Sequence, residues 1–111
     1  GTLERPTWAH DADANRIAAA AHLELLFATD DQRWASGAEP YWRTWRDQRP
    51  GDTAPTLMQA WFYVGVAESD GVTAEQRAAA LEQATATIAD LPAVLTAALR
   101  SEIKRLEGPG L

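Results

Sequence analysis

Three clusters of turn-forming residues divide this chain into segments of helical length, and this division limits the possible folds more than any other feature of the sequence. The clusters are RPGDTAP (49–55), SDG (69–71) and GPGL (108–111), and their glycines and prolines interrupt regular structure. Between them, apolar residues recur at the three- and four-residue spacing of an α-helix. No segment shows the alternation of a strand bounded by hairpin turns. The sequence therefore predicts an all-α domain of about five antiparallel helices.

The first three helices differ in how their apolar residues are arranged. The first is predicted over residues 13–29, with one buried stripe that contains Ala14, Ile17, Ala21, Leu25 and Ala28. The second is predicted over residues 31–48, with a break or kink at Pro40, because proline removes a helical hydrogen bond. The third, over residues 54–69, is apolar on nearly every side. A helix of that kind is surrounded by other helices, so we expect it at the centre of the fold.

The last two helices begin at recognisable signals. TAEQ (73–76) matches a capping box and predicts the start of the fourth helix. Its expected buried stripe contains Ala74, Ala78, Leu81, Thr85, Ile88 and Leu91. Pro92 suits the start of a fifth helix. The expected apolar face of that helix contains Leu95, Leu99, Ile103 and Leu106, and the helix ends at Gly108.

Residues 58–92 carry a pattern that suggests a particular arrangement of hairpins. Trp61 is followed after two residues by Val64-Gly65, the small residues Ala80 and Ala84 come next, and the segment closes on Pro92. This pattern resembles a tetratricopeptide repeat, which opens with W-x2-L-G. The resemblance implies stacked helical hairpins, with the first two helices as an earlier, irregular hairpin and the fifth as a cap. The alternative is a compact helical bundle unrelated to such repeats.

Composition limits the kinds of protein this chain can be. Its 111 residues contain no cysteine, which excludes disulfides and thiolate chemistry and suits a cytoplasmic protein. The net charge of −6 opposes binding to a phosphate backbone, so we expect no nucleic-acid partner. The longest apolar run, residues 17–28, is shorter than the roughly 20 residues of a membrane span. Because the chain opens with Gly-Thr, we interpret it as a single domain, residues 1–111, excised from a longer protein.

The sequence also lacks recognisable catalytic or metal-binding motifs. His10, Asp11 and Asp13 are of types that bind metal ions, but no second ligand cluster accompanies them, so we interpret the acids as helix-start residues and expect no metal or cofactor. His22 lies on the polar side of the first helix with Asn15, and we expect it to be solvated or partly buried. No serine stands in a nucleophile elbow, and no glycine-rich loop precedes a helix. Asp30 and Asp31 are interpreted as caps. We therefore expect a protein without catalytic residues.

One segment combines aromatic and basic residues. Residues 33–49 hold four arginines against Glu39 and Asp47, a local charge of +2. On a helix, Trp42 and Trp45 would share one face while Arg43 and Arg46 share the neighbouring face. The arginines then either stack on the rings of a packed core or form a surface for a partner, since Trp, Tyr and Arg dominate binding hot spots. Our candidate partner or ligand residues are Trp34, Tyr41, Trp42, Arg43, Trp45, Arg46 and Arg49.

Two functions are compatible with this segment. The first is a non-catalytic domain that binds another protein or a second copy of the same chain. The second is a sensor domain that holds a small ligand in an apolar cavity. Its cavity would be lined by Trp34, Trp42, Trp45, Trp61 and Tyr63, with Arg43 or Arg46 fixing an anionic group. A closed aromatic cavity would favour the sensor, and an open aromatic face would favour the interaction domain.

Overall fold

The computed structural model describes residues 11–108, and within that range the chain forms five α-helices and no strand. The helices are α1 (Ala12–Thr29), α2 (Arg33–Gln48), α3 (Ala54–Ala67), α4 (Ala74–Ile88) and α5 (Ala93–Glu107). The predicted all-α class is confirmed. None of the helices in the described range has the length and hydropathy needed to cross a membrane.

The helices pack mainly on their neighbours along the chain. The most extensive contacts join α1 to α2 and α3 to α4, and each pair forms a helical hairpin. α3 also contacts α1, α2 and α5, so it touches every other helix. Every residue from 54 to 69 is at least partly buried. The prediction that the third helix lies at the centre of the fold is confirmed.

α3 contributes to two clusters of buried apolar side chains. The first cluster lies among α3, α4 and α5 and contains Ala60, Val64, Ala67, Ala80, Leu81, Ala84, Ile88, Leu99 and Ile103. The second lies among α1, α2 and α3 and contains Ala19, Leu26, Ala38, Trp42 and Phe62. Val64 belongs to the first cluster and Phe62 to the second. α3 therefore contributes one side to each cluster and connects the two.

The predicted buried stripe of the first helix is wrong. Ile17 is 59% exposed, Leu25 is also exposed, and the buried residues of α1 are Ala12, Asn15, Ala19 and Leu26. Asn15, which we placed on the polar side, is completely buried. The reason is size: the large rings of α2 pack against α1, and a face of small side chains leaves room for them. α1 therefore turns an apolar face to solvent.

α2 continues through Pro40, so the predicted break is wrong. The helix is unbroken from Arg33 to Gln48, with Pro40 inside it. Pro40 is exposed, and its ring therefore adds no crowding in the core. Because proline has no backbone N–H, the Ser36 carbonyl lacks its usual helical donor. Ser36 is exposed, so a water molecule can donate to this carbonyl instead.

α4 begins at the predicted capping box. Gln76 N–H donates to Thr73 Oγ1 at 3.0 Å, and Thr73 N–H donates to Gln76 Oε1 at 2.9 Å. The predicted stripe is correct at Leu81 and Ile88, whereas three of its members, Ala74, Ala78 and Thr85, are exposed. The other buried residues of α4 are Ala80 and Ala84.

α5 buries only part of its predicted face. Leu99 and Ile103 are buried as expected, but Leu95 is exposed and Thr96 takes an inward position instead. Arg100, expected to suit the negative end of α5, reaches back to α4 and donates to the Ile88 carbonyl at 3.3 Å. Arg77 of α4 donates in the same way to the Ala67 carbonyl at the end of α3. In both cases an arginine donates a hydrogen bond to a backbone carbonyl in the last turn of the preceding helix.

Candidate functional site

The candidate site is carried by α2, whose two sides separate aromatic from basic residues. Trp42 and Trp45 are only 8% and 4% exposed. Arg43 and Arg46, which follow them in sequence, are exposed. The predicted division of the helix into a packed face and a solvent-facing side is confirmed.

The two arginines are held over a buried ring. The guanidinium carbon of Arg43 lies 5.9 Å from the centre of a Trp42 ring, and that of Arg46 lies 5.4 Å away. Arg43 also pairs with Glu39, one turn earlier, and Arg46 pairs with Asp47 at 3.5 Å. These cation–π contacts and ion pairs are the ones that the sequence suggested for packed arginines. They fix the arginine stems while the charged groups remain accessible to a binding partner.

The remaining candidate residues lie at the two ends of α2. Trp34 and Tyr41 are half-buried near its start and middle, and Arg49 is exposed just after its last turn. The structure therefore brings Trp42, Arg43 and Arg46 together. Trp34 and Tyr41 contact His22 of α1, and they pack against the same buried cluster that contains Trp42.

A groove runs beside the arginines, between α2 and α3. Its walls include Glu39, Trp42 and Arg43 from α2, and Phe62, Tyr63 and Val66 from α3, and its volume is about 260 Å³. Phe62 and Val66 were absent from our candidate residues, and Tyr63 was named only for the alternative ligand cavity. The all-round apolar sequence of α3 predicted that it is central, but the sequence gives no indication of which side meets α2. For the α2 wall the sequence does give an indication, because Glu39 and Arg43 are four residues apart and therefore lie on the same face of a helix.

The second aromatic cluster is built around His22 of α1. Its ring contacts Trp34 edge-on at a centroid distance of 5.6 Å and Tyr41 at 5.2 Å. His22 Nδ1 lies 2.7 Å from the Ala18 carbonyl oxygen, the geometry of a hydrogen bond that the ring N–H donates. Gly37 of α2 faces the imidazole and leaves space for it. His22 is half-buried, as expected for a partly buried histidine.

An ion pair lies at the edge of this cluster. Arg33 donates to both carboxylate oxygens of Asp31, at 2.7 to 3.1 Å. This hydrogen bonding holds the pKa of Asp31 below its ordinary value and raises the pKa of Arg33. Asp31 also accepts from the backbone N–H of Arg33, the first residue of α2. The N-cap of α2 is Gln32, which makes no side-chain cap hydrogen bond, so neither Asp30 nor Asp31 occupies the predicted cap position. Asp30 ends α1 in the left-handed conformation, with φ of 54°.

The rings proposed for a ligand cavity are distributed over several places. Trp42 and Tyr63 line the groove between α2 and α3, and Trp34 lies on His22. Trp61 packs edge-on against Phe27 of α1, with a centroid distance of 6.3 Å. Trp45 is buried in α2. The arrangement is an open groove with one tryptophan in its wall.

A larger depression lies on the other side of the molecule, along α4. It has a volume of about 740 Å³, and its walls include Ala74, Ala78, Leu81 and Ala89 of α4 and Leu106 of α5. None of our candidate residues belongs to it. Its alanines are accessible because the buried face of α4 consists of Ala80, Leu81, Ala84 and Ile88.

Two further observations concern cofactors and known proteins. In residues 11–108, no group of three histidine, cysteine or acidic residues is arranged to hold a metal ion. His10, from the HDAD sequence, lies outside the described residues. Comparisons with protein-family models, curated proteins and solved structures found no match.

Proposed function

We propose that this chain is a non-catalytic helical interaction domain and that its partner face is the exposed side of α2 with the adjoining groove. The observation that carries the proposal is the position of Arg43 and Arg46 over the ring of buried Trp42. A side chain that is already ordered loses less entropy when a partner binds. Arginines beside an aromatic groove are also the residue types found at binding hot spots.

The arrangement of the helices supports the same function. α1 with α2 and α3 with α4 form successive hairpins, and α5 packs on the second hairpin. This order supports the resemblance to tetratricopeptide repeats, whose stacked hairpins present extended binding surfaces. We therefore propose that the chain is a tetratricopeptide-like interaction module of the cytoplasm.

The alternative function, a small-ligand sensor, has one observation in its favour. Arg43, Trp42 and Tyr63 line the same groove, so an anionic aromatic ligand would meet both a ring and a guanidinium there. The volume of about 260 Å³ is below the roughly 300–1,000 Å³ typical of ligand pockets. Size therefore favours a side chain of a protein partner over a free ligand.

The test is charge reversal of the arginine pair. In the double variant R43E/R46E, each substitution removes a surface ion pair and a cation–π contact, worth together about 1–2 kcal/mol. We expect a decrease of several degrees in melting temperature and a complete loss of the proteins that the wild-type domain captures from a cell extract. Thermal unfolding measures the first effect, and quantitative affinity capture measures the second.

The matched control is R16E/K104E, which changes the net charge by the same amount at two exposed positions outside α2 and the groove. We expect this variant to capture the same proteins as the wild type. If R43E/R46E melts several degrees lower but captures those proteins unchanged, the segment contributes only to packing and the partner face is wrong. If both double variants lose capture equally, the effect is one of net charge alone.

A further inference from the structure

The first and last helices carry the large apolar side chains that remain exposed in residues 11–108. They are Ile17, Leu25 and Phe27 on α1, and Val94 and Leu95 on α5; Val94 is 85% exposed. α1 contacts α2 and α3, whereas α5 contacts α3 and α4, so these two helices flank the central helix. Each of these flanking helices therefore leaves large apolar side chains in contact with solvent.

The exposed residues of each helix form a continuous face. The α1 face consists of Ile17, Ala21, Leu25 and Ala28, each three or four positions from the next, and half-buried Ala14 continues it toward the start of the helix. The α5 face consists of the apolar residues Val94 and Ala98, followed by the polar residues Ser101 and Arg105. An alanine stands near the middle of both faces. Small side chains at that point let two helices approach to the short end of the usual interaxial range, about 8 Å.

The two faces also match in the order of their residues and in charge. When the helices run antiparallel with Ala21 opposite Ala98, Leu25 of α1 comes opposite Val94 of α5. The acidic start of α1, with Asp11 and Asp13, then comes beside Lys104 at the end of α5. Arg105, the next residue, already pairs with Glu68 and Glu102 of its own chain. Opposite charges across an interface favour the correct partner and fix its alignment.

We infer that the α1 face of one copy docks on the α5 face of a second copy, so that the chain associates head to tail. Such a contact is heterologous: each copy keeps one free face, and association continues beyond the dimer. A contact made by one helix from each copy belongs to the small interfaces, below about 1,200 Å² in total, that support weak binding. We therefore expect association that increases with protein concentration. It is independent of the partner face on α2.

The test uses three single variants that each place glutamate at an exposed alanine of a helix. A21E disrupts the α1 face, A98E disrupts the α5 face, and A79E on α4 is the control outside both faces. Sedimentation velocity of the full chain over a concentration series measures the association. The wild type and A79E are expected to exceed the mass of a dimer at high concentration. A21E alone and A98E alone are each expected to remain monomeric.

The decisive sample is an equimolar mixture of A21E and A98E. Between these two variants one intact α1 face can meet one intact α5 face, so we expect a one-to-one pair that does not grow further. A monomeric wild type at every concentration would overturn the inference, and so would a mixture that stays monomeric. Self-association of A98E alone would show that α1 pairs with α1, and self-association of A21E alone would show that α5 pairs with α5; either result overturns head-to-tail docking.

Discussion

At the scale of single residues, Gly65 shows how closely α1 and α3 approach each other. A Cβ atom added at this position would overlap Leu26 Cδ2 and lie 2.9 Å from Leu26 Cγ. Leu26 is completely buried, so its side chain has no open space into which it can move. The structure therefore places Gly65 directly against α1, a helix of the first hairpin.

We predict that Gly65→Ala destabilises the domain. Overpacking costs about 1–3 kcal/mol, and the better helix propensity of alanine offsets about 1 kcal/mol of that. Chemical denaturation should therefore show a lower midpoint for the variant. Gly37→Ala is the matched control, because the nearest atom to its added Cβ is His22 Cδ2 at 3.4 Å, an ordinary contact. An equal or higher midpoint for Gly65→Ala than for Gly37→Ala would contradict the close approach.

At the scale of helices, α2 contains a proline in its interior. Proline destabilises a helix at such a position, and no break in α2 relieves this effect. The helix continues on both sides of Pro40, and the residue is exposed. Proline in a helix interior is about 3 kcal/mol less favourable than alanine. Part of this cost is recovered because proline restricts the unfolded chain, by roughly 0.4–1 kcal/mol.

We therefore predict that Pro40→Ala stabilises the domain by about 1–3 kcal/mol, since it restores the helical hydrogen bond to the Ser36 carbonyl. The measurement is the free energy of unfolding in urea. Thr44→Ala, one turn later in the same helix, controls for the general effect of introducing alanine. A loss of stability in Pro40→Ala larger than that in Thr44→Ala would mean that the proline ring makes contacts the helix depends on.

The sequence predicted the existence of each helix better than the direction each helix faces. α3 was placed correctly because it is apolar on every side, so its environment does not depend on its rotation. Alanine occurs around all of α1, and the periodicity of small residues then carries little information about which face is buried. Packing against the large ring of Trp42 on the facing helix decides that instead. The same uncertainty applies to α4, where Ala80 and Ala84 are buried and Ala74 and Ala78 are exposed.

The candidate site, like the fold, was predicted only in part from the sequence. The spacing of Trp42, Arg43, Trp45 and Arg46 predicted a buried and an exposed side, because that depends only on the helical period. The far wall of the groove, with Phe62 and Tyr63, depends on how α3 packs against α2. Such contacts between helices distant in sequence are not encoded in any local pattern.

At the scale of the whole molecule, the fold consists of two buried clusters that share α3. Leu99 of α5 is 1% exposed and belongs to the cluster of α3, α4 and α5. Trp42 and Leu26 belong to the cluster of α1, α2 and α3. Because α3 contacts all the other helices, it couples the two clusters. A change in one cluster should reach the other only through α3.

We predict that Leu99→Ala, which removes a buried leucine side chain, destabilises the domain by about 2–5 kcal/mol. The loss of protection from hydrogen exchange should differ from one helix to another. Native-state hydrogen exchange should show the largest loss of protection in α4 and α5 and a smaller loss in α1 and α2, since units that share fewer contacts can open separately. Leu26→Ala is the reciprocal variant and should show its largest loss in α1 and α2. Equal loss in all five helices for both variants would mean that the two clusters unfold as one cooperative unit, with α3 transmitting the full effect of each deletion.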